Sequence, residues 1–360
     1  MTNPKILVTG ATGKTGGAVV AQLLENGYPV RAIVRSRDAR SKRLDRLGVE
    51  TVVADMYDPD QLLEAMRGTV RAYYLPMMRP YMIQSAAAFA VAAQEAKLES
   101  IVQMSQWTSS PAHPTLMTRQ TWLVDRIFSI IPGVAHTIVN PGMFADNYLR
   151  VIDFAALLGI FPVLFGTSKS APVSNEDIAR VIAAILMDDP ANHAGKSYRP
   201  TGSKLLSAHD MAAIIQKVVG NRVRPINLPY WMFLKVARMQ SIDPFQVYVL
   251  RYYMEDHKQG TFEFEGGVSD VLQQLTGSPS EDFETTARRY AVLPFARKTF
   301  SNRLRALINF MIVPFYPGYD LARYEREHEF PMPPEPQLCM ESEQWKADHR
   351  IRSDGRLLEV

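Results

Sequence analysis

"ILVTGATGKTGG", residues 6–17, sets Gly10, Gly13 and Gly16 directly after an apolar run and directly before a helical pattern. Residues 5–9, "KILVT", have the continuous apolar character of a strand buried on both faces. Val19, Val20, Leu23 and Leu24 then recur at helical spacing, with Gly27 as a stop. A parallel strand that ends in a glycine-rich turn opening a helix is a phosphate site. The helix N-terminus presents unpaired N–H groups and a positive dipole end, and glycines let a pyrophosphate approach the backbone. The spacing is Gly-x-x-Gly-x-x-Gly, one residue longer in the turn than Gly-x-Gly-x-x-Gly. By itself the spacing is a weak signal, since a minority of such turns are only tight loops; its place on the first strand of a long alternating series is what points to a dinucleotide. The spacing argues against a Walker loop, because only Ala11 and Thr12 separate Gly10 from Gly13-Lys14-Thr15.

Strand-like runs recur at 30–35, 50–55, 71–77, 100–105 and 135–141, with helical stretches near 38–47, 59–67, 82–96 and 117–130. Each strand-helix-strand step needs a right-handed crossover, so the six strands predict an α/β fold with a doubly wound parallel sheet, Rossmann-like. Residues 1–150 are expected to form the NAD(P)-binding domain, its sheet completed by later segments. Residues 151–295 form a smaller substrate lobe, and 296–360 a C-terminal extension.

The tip of the second strand discriminates between dinucleotides. NAD sites carry an acidic residue there for the ribose 2′-hydroxyl. Here "AIVRSRD" places Arg35 at the tip, and a guanidinium suits a 2′-phosphate through charge-assisted, fork-like hydrogen bonds. NADP(H) is therefore preferred over NAD(H), the alternative being that Arg35 is a solvated strand-end cation. Asp55, at the end of the third strand, is placed either at the adenine edge or in a solvated loop.

Forty basic and 37 acidic residues among 360 leave a net charge of +3, which gives the chain as a whole no footprint for direct nucleic-acid binding. The single cysteine, Cys339, has no internal disulfide partner, as suits a reducing cytoplasm. "MTNPKILV" lacks the features of a secretion signal, and no run approaches the roughly 20 apolar residues of a spanning helix.

Several separate stretches together resemble the NmrA-like group of atypical short-chain dehydrogenases. They are "VTGATGKTGG", the Arg35 strand tip, "GVETVVADMYDPDQLLEAMRG" (48–68), "VNPGMFADNYL" (139–149), "VSNEDIARVIAAIL" (173–186) and "GKSYRPTGSKLLSAHDMAAIIQKVVGNRV" (195–223). The resemblance spans roughly residues 5–292. It implies a nucleotide domain and a smaller lobe whose shared cleft covers the nicotinamide. By position it assigns Gly10, Thr12, Gly13, Lys14, Thr15, Gly16 and Arg35 to the cofactor phosphates, and Asp55 and Met56 to the adenine. Leu75, Pro76 and Met77 fall along the ribose side, with Pro141 and Phe144 near the nicotinamide.

Carbonyl reduction needs a proton donor beside the developing alkoxide. Ordinary short-chain dehydrogenases use a Tyr four residues before a Lys; none of the fifteen tyrosines here has that Lys. Many NmrA-like reductases keep only the Lys, four residues before an acidic residue. In this chain the acid is Asp125 and the position holds Thr121; no lysine occurs between Lys97 and Lys169. The remaining candidates are Ser105 at the strand end, His113, Thr121 and, for substrate contact, Trp107, Arg119, Phe144 and Tyr148. His113, in "SPAHP", reads as a mobile loop histidine, with proton donation as the alternative. Arg119 either binds a substrate carboxylate or caps a solvated helix face, and Tyr148 either enters the cleft or packs.

Residues 174–188 and 206–220 read as lobe helices opened by Ser174 and Ser207, with Asp177 and Asp210 three positions on as capping-box acids. No metal-ligand spacing and no Gly-x-Ser-x-Gly elbow occurs. Six cations between Arg288 and Arg305 precede the apolar "LRALINFMIVPFYPGY" (304–319). That order reads as a helix docked on the smaller lobe, with a lid or homodimer contact as alternatives and membrane contact not expected. A Pro-punctuated tail follows, and "SEQWKADHRIRSDGRLLEV" (342–360) reads as partly disordered. The expected function is an NADP(H)-binding oxidoreductase acting on a small, largely apolar substrate such as a quinone, enone or carbonyl. The alternative is a non-catalytic NAD(P)(H) redox sensor acting through a protein partner.

Overall fold

Ile6, Leu7 and Val8 are shielded from solvent on both faces of a parallel sheet, and Val8 is flanked by Ala32 on one side and Tyr73 on the other. The structure, a computed structural model, describes residues 3–352. It begins β1 (Ile6–Val8), α1 (Lys14–Glu25), β2 (Val30–Val34), α2 (Ala39–Arg46), β3 (Glu50–Val53), α3 (Pro59–Met66), β4 (Arg71–Tyr74), α4 (Met82–Glu95), β5 (Ser100–Met104), α5 (Leu116–Ser129) and β6 (Ala135–Val139). There follow α6 (Ala145–Leu149), α7 (Ile152–Leu158), β7 (Ile160–Val163), α8 (Asn175–Met187), β8 (Ser197–Tyr198), α9 (Ala208–Val219) and β9 (Arg224–Asn227). The rest is helical: α10 (Tyr230–Met239), α11 (Pro244–Lys258), α12 (Val271–Thr276), α13 (Phe283–Ala291), α14 (Phe300–Ile312), α15 (Leu321–His328) and α16 (Glu343–Arg352).

The sheet has seven parallel strands in the order β3-β2-β1-β4-β5-β6-β8. Six of these are the expected ones. The seventh, only two residues long, pairs Ser197 and Tyr198 with Ile138 and Val139, and is too short to leave a period in the sequence. Residues alternate across β1: Leu7 joins Leu62, Phe89 and Phe128 on one face, while Ile6 and Val8 join Val19, Leu23, Ile178 and Ile182 on the other. This second layer is made by α1 and α8, helices far apart in sequence and joined by the Thr15 hydroxyl donating to Asn175 Oδ1 at 2.7 Å. Burying such aliphatic side chains is worth about 1.5–3 kcal/mol each, which holds α8 on the sheet.

Local chemistry sets the helix ends. Asp38 accepts from the Arg40 and Ser41 backbone N–H groups to open α2, and Ser207 and Asp210 form the expected capping box on α9. At α8 the expected box is only half made. Ser174 accepts from the Asp177 N–H, but the Asp177 carboxylate is taken by Arg180 and by the Glu281 N–H.

The C-terminal extension does more than dock. After α14, which lies on α7, and α15, the chain runs back over the loop that follows β5. Gln337 N–H donates to the Ala112 carbonyl at 2.9 Å, and α16 sets Trp345 against Trp107. Residues 343–352, expected to be partly disordered, are helical; 353–360 lie outside the described residues. No helix among the described residues is long and apolar enough to cross a membrane.

Candidate functional site

Because the strands are parallel and in register, their carboxyl ends gather along one edge of the sheet. The strand order reverses between β1 and β4, and in open α/β sheets that switch point is where ligands bind. The edge is built from the glycine loop after β1, Arg35 after β2, Asp55 and Met56 after β3, Leu75, Pro76 and Met77 after β4, Ser105 after β5, and Pro141 after β6.

The loop has a shape that side chains would destroy. Gly10 sits at φ +65°, and a Cβ there would meet Leu75 Cδ2 at 2.7 Å. A Cβ on Gly16 would collide with the Gly10 carbonyl and the Ala11 amide, backbone atoms that cannot swing away. Gly13 N–H donates to the Gly10 carbonyl at 2.9 Å and Gly13 caps α1 without a side chain, so the first N–H groups of α1 are presented bare. Thr9 fastens this loop to the next strand: its hydroxyl donates to the Tyr73 carbonyl and accepts from the Leu75 N–H at 2.8 Å. Thr12 is half-buried in the turn, while Thr15 is buried against α8. This cradle fits a dinucleotide pyrophosphate.

At the tip of β2 the cations divide. Arg37 is held by Asp45 and the Thr51 carbonyl, and Arg40 by Asp38. Arg35 is exposed and, among the described residues, has no hydrogen-bond or ion-pair partner, leaving its guanidinium available to an anion. Asp55 accepts the Tyr57 N–H on one carboxylate oxygen, which presets its loop, and among the described residues its second oxygen has no hydrogen-bond partner.

Lys14 does not point into the loop. Its ammonium pairs with Asp146 of α6, and Tyr290 of α13 donates its hydroxyl to the same carboxylate. Burial pulls the Asp146 carboxyl upward, but Lys14 and Tyr290 outweigh it and hold it below the ordinary carboxylate range. Phe144, at the start of α6, is half-buried and bridges to Val173.

Around β5 and α5 the hydroxyls are committed. Ser105 and Ser109 donate to Asp125 Oδ2 at 3.0 and 2.8 Å, and Gln103 donates to Oδ1 at 2.7 Å. Thr121 is buried and donates to the Met117 carbonyl at 2.9 Å.

Trp107, expected to touch substrate, is instead 1% exposed. Arg199 stacks on it at 3.4 Å, Trp345 meets it edge-on, and its Nε1 donates to the Thr261 carbonyl. His113 is not mobile: it is 1% exposed, accepts from the Thr115 N–H at Nδ1, and bonds Asp256 through Nε2 at 2.7 Å. Asp256 also accepts from the Cys339 N–H, and the Cys339 thiol donates to the Thr108 carbonyl. His113, Asp256 and Cys339 bring ligand-type atoms within 4.8 Å of one another, a grouping no sequence spacing announced. Each member is already hydrogen-bonded, so the trio is a buried seam fastening the tail. Arg119 neither caps a solvated face nor stands free, because it donates to the carbonyls of His113, Pro114 and Pro331.

Tyr148 packs rather than entering from the lobe. Ser168 Oγ donates to the Phe165 carbonyl, so it accepts from His257 Nδ1–H at 2.7 Å; His257 Nε2 then accepts the Tyr148 hydroxyl proton at 2.8 Å. Ser170 completes the chain by donating to the Tyr148 oxygen at 2.7 Å. Burial holds His257 neutral, with its pKa lowered to about 4, and pushes the Tyr148 phenol well up. His257 and Ser168 carried no sequence signal, since their partners lie on other elements.

Residues 2–111, which include the glycine loop, match the model of the NmrA-like family. An NAD(P)H azoreductase of Xenophilus azovorans is 28% identical over 288 residues, covering 79% of this chain and 98% of the relative. The fold is shared with NADPH-dependent quinone oxidoreductase QOR2 from Escherichia coli, solved with NADPH: TM-score 0.67 and 23% identity, over 79% of this chain and 99% of the other. It is shared too with NmrA, a negative transcriptional regulator solved with NAD: TM-score 0.66 and 19% identity, over 80% and 95%.

Proposed function

We propose that this NmrA-like chain binds NADP(H) in preference to NAD(H) and reduces a small, largely apolar acceptor of the quinone, enone or carbonyl type. The observation that carries the reading is the pairing of a glycine cradle at the switch point with an unengaged guanidinium, Arg35, on the adjoining strand. The azoreductase relative and the quinone oxidoreductase neighbour support the same class of chemistry.

In this reading the bare N–H groups of α1 hold the pyrophosphate, with Thr12 and Lys14 at the rim, and Arg35 takes the 2′-phosphate. Asp55 and Met56 flank the adenine, Leu75, Pro76 and Met77 the ribose, and Pro141 and Phe144 the nicotinamide. The bound cofactor supplies a hydride. Ser105 and Thr121 hold their protons on Asp125 and on the Met117 carbonyl, so neither delivers one to a developing alkoxide. A quinone or azo acceptor suits such a site, because solvent can protonate its delocalised anion. Cys339, buried and outside any disulfide, suits a reducing cytoplasm.

The same committed hydroxyls favour a second reading, a redox sensor that binds NADP(H) and reports to a protein partner. Calorimetric titration with NADPH and NADH, then NADPH consumption over quinones, azo dyes, enones and aldehydes, separates the two. Turnover tracking one acceptor class supports the reductase, and tight binding without turnover supports the sensor. Uptake of neither dinucleotide overturns both.

A further inference from the structure

Helix α14 is inside out. Phe300, Leu304, Leu307, Ile308 and Met311 recur at three- and four-residue steps and so share one face, and that face looks into solvent. Phe300 is 84% and Met311 63% exposed, and Phe315, in the turn that follows, is 88% exposed. The face turned toward α7 and α10 is small and polar instead, with Asn302, Ala306 and Asn309 lining a cavity there. The apolar surface continues onto α10, where Trp231 is 54% exposed and Lys235 reaches over the turn to the Pro314 carbonyl. A contiguous apolar surface of this kind marks an interaction site.

Charge decides what covers it. From Thr285 to Tyr319 the chain carries no acidic residue and six cations. Among the described residues, Arg297, Lys298 and Arg303 have no ion-pair partner; Arg297 and Lys298 donate only to the neutral carbonyls of Val292 and Val219. Arg305 faces Asp153 across the cavity. A two-fold contact between copies of this chain would place these cations against their own images, with no carboxylate in the segment to pair them. An apolar stripe bordered by unpaired cations is complementary to the boundary between acyl chains and anionic headgroups.

We propose that α14 and the turn 313–315 form an in-plane docking element for a bilayer surface rich in anionic phospholipid. The helix is too short to span and is not required to. Phe300, Met311 and Phe315 enter the acyl boundary, while Lys298 and Arg303 meet lipid phosphates. This attachment would hold the protein close to a pool of apolar compounds, and it stands whether or not the cofactor reading does.

The test is flotation of the full chain with phosphatidylcholine vesicles, with and without about one quarter phosphatidylglycerol. Binding is expected only to the anionic vesicles and is expected to be lost in about 1 M salt, where the Debye length is about 3 Å. The double variant Phe300→Ser/Phe315→Ser should lower the bound fraction at least about tenfold, and Arg303→Glu should weaken binding and make what remains less salt-dependent. Both variants should keep the wild-type melting temperature, since these side chains are exposed. Equal flotation with neutral vesicles, or binding unaffected by the double variant, overturns the proposal. So does absence of flotation, and a dimer in sedimentation that the double variant dissolves would then assign the face to a second copy.

Discussion

Lys14 and Asp146 are ion-paired, joining the glycine loop to α6, and Tyr290 donates to the same carboxylate from α13. The one cation of the loop is thus occupied by the smaller lobe rather than by the site it borders. In the proposed complex it must choose between Asp146 and a phosphate. Lys14 is largely exposed, and such pairs are worth no more than about 1 kcal/mol. Asp146→Asn should therefore tighten NADPH by about two- to fivefold in calorimetry. Weaker binding would mean that the pair holds the loop in its binding shape.

Arg35→Ala separates the two dinucleotides. A hydrogen-bonded contact to a charged group contributes about 1.5–3 kcal/mol, so NADPH affinity should fall about ten- to a hundredfold while NADH changes little. Equal losses would show that this guanidinium does not read the extra phosphate.

Gly16→Ala probes the loop itself. The new methyl would strike the Gly10 carbonyl and the Ala11 amide, so the turn must open. Dinucleotide affinity should drop at least about tenfold. The chain should still fold, because the loop lies at the rim of the sheet and the strand and helix beside it keep their burial. Unchanged affinity would remove the cradle from the binding reading.

The glycine loop and the strand-tip position of Arg35 were legible because their signals are local: Gly10, Gly13 and Gly16 lie within seven residues, and Arg35 follows a five-residue strand. The alternation of short apolar runs and amphipathic helices gave six strands for the same reason. What escaped reading depends on distant contacts. Trp107 looked like a stacking group until Trp345 and Arg199 closed on it. His113 looked mobile between its prolines until Asp256 and Cys339, both from the second half of the chain, buried it. Asp177 had the right spacing for a capping box, yet Arg180 and Glu281 compete for it.

Acid should weaken the fold through its buried histidines. Burial lowers His257 to about 4 and His136 to about 3 from an ordinary 6.5, so the native state stays neutral where the unfolded chain binds protons. Their contribution is complete above the unfolded value and is lost as pH falls from 6.5 toward the folded values. For His257 this is on the order of 3 kcal/mol. Thermal unfolding followed between pH 4 and 6.5 should show a falling melting temperature, and His257→Phe should reduce that slope. A variant with the full wild-type slope would exclude His257 as a source.

Trp345→Ala should undo the tail's anchorage. Trp345 is buried against Trp107, and its Nε1 donates to the Trp107 carbonyl. Truncating a buried tryptophan costs about 3–5 kcal/mol, so limited proteolysis should cleave near residues 330–338 well before the wild type is cut. Resistance equal to wild type would mean that the His113–Asp256–Cys339 seam suffices.

Strand β8 joins the sheet from residues 197–198, and α8 covers the face that α1 leaves open. Until those residues have left the ribosome, β6 has a bare edge and Val19 and Leu23 have no roof. The N-terminal half therefore cannot reach its final form during early synthesis. A nascent chain stalled before residue 197 should stay protease-sensitive and in need of a chaperone, however complete its glycine loop.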